Sequence, residues 1–316
     1  MGQPYLRLAA AALILAAFVL GTAAFLVWFE RKLLGRMQVR PGPNRVGPGG
    51  LLQPVADILK LTVKEDILPE HADRPLFRLA PLMAFVPAFA AFVVLPFGPG
   101  LVSADLNIGL LWILAVSTVS VLALIAAGWA SNSKYALLGG MRAAAQMISY
   151  EVPLVLSLIG VVLAAGSLRL GRIVAAQAHL WFAVPQVLGF IVYLIAATAE
   201  SNRSPFDLPE GESELVAGFH TEYSGVRFAF FFLAEYSYVF LAAAIATLAF
   251  LGGWSGPFLP PVVWFLVKTY AVIFFIIWLR ATLPRIRIDQ LLSFGWKVLL
   301  PLSLVNIFLV GLFRFI

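Results

Sequence analysis

The sequence predicts an all-α, polytopic membrane protein of about eight transmembrane helices, with an amphipathic interfacial helix in the first cytoplasmic loop. Of its 316 residues, 61% are apolar and only 12% charged, and the mean hydropathy is +0.94, values that water-soluble domains do not normally reach. Apolar stretches of about 20 residues, the length that crosses a hydrocarbon core about 30 Å thick, also recur along the chain. They cover 6–29, 79–97, 110–130, 148–165, 181–199, 228–251, 262–279 and 298–313.

The first stretch is longer than the apolar segment of a signal peptide, and Glu30-Arg31-Lys32 follows it where a small-residue cleavage site would stand. It is therefore expected to be a permanent span. The loop after it, 30–77, is longer than a connector requires. Its segment 41–50, PGPNRVGPGG, holds three Pro and four Gly, so the backbone there must be irregular and tightly turned. It lacks the Gly-Lys-Ser/Thr ending of a phosphate loop, which excludes that form of nucleotide binding.

Beyond it, Leu51, Val55, Ile58, Leu59, Thr62 and Val63 recur at helical spacing, with Asp57, Lys60 and Lys64 on another face. Such a helix lies in the membrane interface. It serves either as a surface anchor or as the wall of a lipid-side portal, with Asp57 and Lys60 turned inward. The fourth stretch carries Glu151 and Pro153 in its first turn, so seven spans and one re-entrant segment is the alternative count.

The third loop of this face, 200–227, is densely acidic. Six of the chain's 16 acids fall between Glu200 and Glu222. Asp207 and Glu210 have capping-box spacing, and Pro209 suits a first helical turn. Asp207, Glu210 and Glu214 also fall at i, i+3 and i+7, which would stack three carboxylates on one helical face. Clustered acids raise one another's pKa, as proton exchange near neutral pH requires; a solvated acidic loop is the generic alternative. Within or at the edge of the spans lie Glu151, Glu200, Glu235 and Lys268. Ionisable groups in apolar surroundings are costly and mark proton or ion paths, unless they sit at a span end and reach water.

Seventeen of the 22 Lys and Arg residues fall on the odd-numbered connections or their immediate helix ends. By the positive-inside rule these connections are cytoplasmic, so both termini face outward in a bacterial-type plasma membrane. The net charge of +6 follows from this asymmetry and does not point to nucleic acid. With no cysteine and three histidines spread over separate loops, the chain has no thiolate ligands and no facing histidine pair for haem. If it takes part in redox chemistry, it does not carry the electrons. The chain is expected to be a single helical bundle over 1–316, with no metal site.

The ordered motifs Glu30-Arg31-Lys32, Gln38-Val-Arg-Pro-Gly-Pro-Asn-Arg-Val-Gly-Pro, Gln53-Pro-Val-Ala-Asp57, Lys64-Glu-Asp, Ser149-Tyr-Glu151-Val-Pro, the run from Glu200 to Glu214 with Pro205-Phe-Asp-Leu-Pro-Glu, Glu222-Tyr-Ser, Ala234-Glu235-Tyr and Arg280-Ala-Thr-Leu-Pro-Arg-Ile-Arg-Ile-Asp-Gln-Leu span nearly the whole chain. In these the sequence resembles the H-type membrane subunits of respiratory complex I, the proton-pumping NADH-quinone oxidoreductase, a family that includes the mitochondrial subunit 1.

The resemblance implies a non-redox membrane subunit that forms the membrane side of a quinone chamber, with ubiquinone or menaquinone as substrate and no ligated cofactor. By motif, Trp28, Arg31, Arg40, Asp57, Phe228, Phe232 and Arg280 would line the chamber. On sequence alone Trp28, Phe228 and Phe232 read first as interface-belt or core aromatics. An acidic path for proton translocation would run through Glu151, Glu200, Asp207, Glu210, Glu212, Glu214, Glu222 and Glu235. The implied partners are iron-sulfur and quinone-site subunits of a peripheral arm, and small and antiporter-like membrane subunits. Some family members carry an additional C-terminal span, which bears on peripheral contacts and not on the chamber.

Two other classes compete. A membrane anchor of an energy-converting hydrogenase, or of a ferredoxin- or coenzyme F420-linked relative, would share the spans, but the run from Glu200 to Glu214 is nearer the complex I form. A stand-alone secondary transporter would show inverted repeats with broken helices, and no such symmetry is visible.

Overall fold

The computed structural model describes residues 2–209 and 211–315, with side chains for 10–209, 211 and 214–312. The described residues form helices joined by loops. Among the described residues seven helices are long and apolar enough to cross a membrane, and one further apolar helix is shorter. The chain is an all-α polytopic membrane protein.

Helix α1 (Gly2–Met37) has 36 residues. At 1.5 Å per residue it is about 54 Å long, which carries its charged end well past a hydrocarbon core of about 30 Å. The Pro/Gly loop folds back onto that end. A Cβ on Gly42 would lie 2.9 Å from the Arg31 carbonyl, and one on Gly50, at φ +80°, would lie 2.2 Å from the Pro43 carbonyl, so only glycine permits this path. Trp28 Nε1 donates to the Gly49 carbonyl at 3.2 Å, and Lys32 Nζ donates to those of Pro43 and Gly49 at 2.9 and 3.2 Å.

Helix α2 (Gln53–Val63) packs on α1 and on α10 (Gly225–Phe250). Its residues Val55, Ile58, Leu59 and Val63 are exposed, as an interfacial helix with its apolar face toward lipid requires. Lys60 is exposed as well, so of the two charges expected to turn inward only Asp57 does.

Helix α3 (Arg74–Phe92) starts where Asp73 Oδ1 accepts from Leu76 N at 3.4 Å. Helices α4 (Gly109–Ser117) and α5 (Val119–Ala130) form one span interrupted at Thr118, whose hydroxyl oxygen lies 3.0 Å from the Leu114 carbonyl. Helix α6 (Lys134–Ala165) is 32 residues long, starting 14 residues earlier than the apolar pattern suggests, and lies against α5, α8 and α13. It reaches α5 closely because both carry glycine at the crossing: a Cβ on Gly128 would lie 2.5 Å from the Ala136 carbonyl, and one on Gly140 2.9 Å from that of Leu124.

After the short α7 (Leu170–Ala176), α8 (Val187–Glu200) is the segment that departs from the expected pattern. Of the apolar stretch 181–199 only 187–199 is helical, and α8 as a whole has 14 residues, about 21 Å, so the short element is the fifth stretch and not the fourth. Pro185 has no N–H to give a helix, and the preceding turns find partners elsewhere. Ala183 N donates to the Phe250 carbonyl at 2.9 Å, and Gln177 Oε1 accepts from Phe182 N at 3.2 Å and Gly252 N at 2.9 Å. Irregular backbone is tolerated here because these carbonyl and side-chain partners satisfy it.

Among the described residues the acidic loop holds the four-residue α9 (Glu212–Leu215) and a single 3-10 turn at Gly218–His220 before α10. Helix α11 (Pro261–Thr282) follows, then α12 (Ile288–Phe294), one wider turn at Gly295–Leu299, and α13 (Leu300–Phe315). Lys268 of α11 is buried; its ammonium donates to the carbonyls of Leu251, Gly253 and Ser255 at 2.7, 3.1 and 2.7 Å and lies 4.4 Å from the Trp181 ring centre. The cation thus clamps the loop after α10 and stands at the opposite end of α10 from the acidic loop.

Two buried clusters organise the interior. One joins α1, α4, α6, α8, α10 and α11, and the other joins α3, α5, the first half of α6 and the loop aromatics Phe219 and Tyr223. Gly128→Val should separate α5 from α6 and cost about 1–3 kcal/mol, the usual range for overpacking. Gly21→Val, where a Cβ meets nothing within 4 Å, should leave the unfolding midpoint of detergent-solubilised protein unchanged.

Candidate functional site

Glu30 ends the apolar part of α1, and the loop after α8 brings Arg203 against it; each is 5% exposed. Arg203 Nη1 donates to both Glu30 carboxylate oxygens at 3.1 Å, and Nη2 stands 3.1 Å from Glu235 Oε1 on α10. Arg280, in the last turn of α11, donates to Glu30 Oε1 from the other side. Two guanidiniums therefore face two carboxylates, and the Arg203 guanidinium also lies 4.3 Å from the Tyr236 ring centre. Buried charges are tolerable when paired in this way, and removing one partner leaves an uncompensated charge.

Arg203 is held by the backbone around it. Gln146 of α6, fully buried, directs Nε2 at the carbonyls of Ala199 and Phe206, each 2.7 Å away, and at Asn202 Oδ1, 3.1 Å away. One side chain thus fixes the end of α8 and the start of the acidic loop. Asp207 follows and pairs with Arg285 at 3.3 Å. Burial raises its carboxyl above the usual carboxylate range, against the lowering pull of Arg285 and Arg280.

Above this cluster opens a cavity of about 310 Å³, lined by Glu30, Arg31, Leu34, Asn202, Arg203, Asp207, His220, Phe228, Phe231, Phe232, Glu235, Tyr236 and Arg280. Its wall divides into aromatic rings of α10 and charged groups from α1, the loop and α11. Phe228 and Phe232 stack with ring centres 6.0 Å apart. Burial lowers the pKa of His220 to about 4, so at neutral pH it is an uncharged imidazole.

Six of the residues expected from the sequence meet here: Arg31, Asp207, Phe228, Phe232, Glu235 and Arg280. Asp57 stands one step behind, bonded to Arg31 at 2.6 Å and to Gln53 Nε2 at 3.0 Å. Trp28 and Arg40 stand away from the lining, Trp28 on the Gly49 carbonyl and Arg40 exposed in the Pro/Gly loop.

Asn202 and Glu235 also line a second cavity of about 40 Å³ that reaches Ser120, Glu200 and Tyr238. Those three line a third, also about 40 Å³, that reaches Ser117 and Tyr193. Glu151 accepts from the Thr118 hydroxyl at the break between α4 and α5.

The acidic loop corrects one expectation. Asp207 and Glu214 do not share a helical face, because 201–209 and Gly211, with Pro205 and Pro209 among them, are not helical and α9 begins at Glu212. Gly211, not Asp207, stands at the N-cap of α9. The acids are also not short of cations: Glu214 is exposed and bonds Arg142 at 2.5 Å, which holds its carboxyl below the usual range. Glu222 is half-buried and lines none of the three cavities. Glu210 lies outside the described residues, as does the Glu212 side chain.

Sequence reasoning missed Arg203, His220, Asn202, Phe231 and Tyr236, and it treated Glu30 only as part of a motif. Arg203 offered a faint signal, being a single cation at the head of a run of acids.

The NADH dehydrogenase family model matches residues 10–311. The chain belongs to the NADH dehydrogenase family. Similar proteins include the H-type subunit of the NADH-quinone oxidoreductase of Brevibacillus brevis, 58% identical over 95% of this chain and 91% of the relative. Its counterpart in Dehalococcoides mccartyi is 57% identical over 97% and 87%, and that of Anoxybacillus flavithermus 60% identical over 94% and 90%. Since the match to the NADH dehydrogenase family begins at residue 10 and ends at 311, it takes in the whole charge cluster and all three cavities.

Glu30→Gln should leave Arg203 and Arg280 facing the single carboxylate of Glu235 and cost about 3–5 kcal/mol, the usual effect of breaking a buried pair, measured as a lower unfolding midpoint. His220 gives a pH test. The folded state keeps this imidazole neutral down to about pH 4, whereas the unfolded chain protonates near 6.5. The unfolded state therefore binds more protons between these values, and stability falls as pH drops through that window. His220→Gln should flatten the 6.5-to-4 slope relative to the parent chain when both are followed by thermal unfolding.

Proposed function

We propose that this chain is the membrane subunit of a proton-translocating NADH-quinone oxidoreductase that forms the membrane wall of the quinone-binding chamber and carries the first part of the coupling path. The observation that bears most weight is the 310 Å³ cavity, in which an aromatic wall faces paired charges and from which two small cavities lead to Glu200. A quinone has an apolar tail and a compact polar head, and this division of the wall suits both. Phe228 and Phe232 supply apolar contact, while Arg31, Arg280 and neutral His220 supply hydrogen-bonding groups for the head. The chain holds no electron-transfer group of its own in this reading; iron-sulfur and quinone-site subunits of a peripheral arm would deliver the electrons.

Coupling would start at the charge cluster. Negative charge arising at a quinone during reduction competes with Glu30 and Glu235 for Arg203 and Arg280. A shift of Arg203 toward the chamber frees Glu235, which then takes up a proton and passes it toward Glu200 and Glu151. Transmission over this distance needs an element with two arrangements. The segment 200–222, turned at its prolines and glycines and held by Gln146, Arg142 and Arg285, is the candidate. The whole chain would act as one bundle in a bacterial plasma membrane, termini outward, with small and antiporter-like membrane subunits beside it.

In the assembled complex reconstituted into vesicles, Glu235→Gln should cut proton translocation about tenfold, equivalent to losing about 1.4 kcal/mol of coupling. Phe228→Ala should raise the KM for quinone about tenfold with little change in kcat, from about the same amount of lost apolar contact. Full pumping and an unchanged KM in these two variants would reject the assignment.

A further inference from the structure

The path from Glu235 to Glu200 has a gap in its acids, and one side chain fills it. Tyr238 lies three residues beyond Glu235 on α10, so both project from the same side of the helix. Its hydroxyl oxygen is buried, with the Ser120 side chain beside it but no well-aligned hydrogen bond to any described residue. A buried hydroxyl without a well-aligned partner is costly and calls for an explanation. Tyr238 lines both small cavities, the first shared with Glu235 and Glu200 and the second with Glu200 and Ser117. Each cavity has a volume of about 40 Å³ and polar groups on its wall, whereas a single water needs roughly 10–15 Å³ and two to four polar partners.

We infer that the Tyr238 hydroxyl is a positioning and relay group that links Glu235 to Glu200 through water held in these two cavities. The inference rests on the function proposed above and adds to it a neutral residue between the acids. In the step it serves, protonated Glu235 gives its proton to a water in the shared cavity. That water passes one of its protons to the Tyr238 oxygen as the tyrosine releases its own toward the Glu200 carboxylate. Glu235 loses one proton, Glu200 gains one, and tyrosine and water end as they began. Ser120, on the wall of both cavities, provides a second hydroxyl to hold the water in line.

Tyr238→Phe removes the hydroxyl and keeps the ring, so the unfolding midpoint of the complex should not move. Proton translocation per quinone reduced should fall at least threefold, and the solvent deuterium isotope effect on turnover should at least double. Tyr238→Asn, which restores a hydrogen-bonding group and leaves room for water, should recover more than half of the pumping. Glu200→Gln and Glu235→Gln, assayed alongside, separate the two readings. If the Glu variants fail to pump while Tyr238→Phe pumps normally, the relay is overturned and the acidic path stands. A defect in Tyr238→Phe that comes with a lowered unfolding midpoint and no rescue by Asn overturns it as well, since the loss is then one of packing. If all three variants pump normally, both readings fall.

Discussion

The arrangement depends on Arg203 being buried between Glu30 and Glu235. A guanidinium taken out of water is tolerable only if carboxylates meet it, and here they come from α1 and α10, residues 173 and 32 positions away in sequence. Satisfying that one cation therefore brings the first helix, the acidic loop and the sixth long apolar stretch to a common point. Arg280 adds α11 by sharing Glu30. The hydrophobic clusters beneath supply most of the packing energy, but they do not select which helix ends converge. The ion network does, because a helix end shifted by a turn would leave a charge unpaired in an apolar setting.

The same network makes the site responsive. Two cations and two anions leave no excess charge, so a ligand that introduces charge into the cavity alters the balance of all four groups. Groups that share partners respond together. Asp207, raised by burial yet paired with Arg285, stands at the edge of the network and extends it into the loop. His220 does the opposite: it lines the same cavity but stays uncharged at neutral pH, adding a hydrogen-bonding group without disturbing the balance.

Close backbone approach is the second constraint. Gly42 and Gly50 allow the Pro/Gly loop to lie on α1, where Trp28 and Lys32 hold it, and this fixes the direction in which α2 leaves. Arg31 then meets Asp57, and α2 keeps its apolar residues on the outside. At the crossing of α5 and α6, Gly128 and Gly140 do the same for two spans.

The sequence by itself determined the membrane class, the run of apolar stretches, the amphipathic helix and the residue types available to the site. Composition and periodicity are local properties, and burial in lipid enforces them residue by residue. It also marked Glu235 and Lys268 as costly ions in apolar surroundings, though only one of them belongs to the candidate site. Periodicity could not tell that 181–199 would be helical only from Val187, because Gln177 and the Phe250 carbonyl satisfy the turns before it. Nor could spacing place the loop acids. Asp207, Glu210 and Glu214 fit a helical face on paper, yet prolines and a glycine break that helix, and Arg142 and Arg285 take two of the carboxylates. The pairing of Glu30 with Arg203, the cavity above it and the place of the buried Tyr238 hydroxyl between two small cavities were decided by tertiary structure alone, since each depends on which helix ends meet once the buried charges have found their partners.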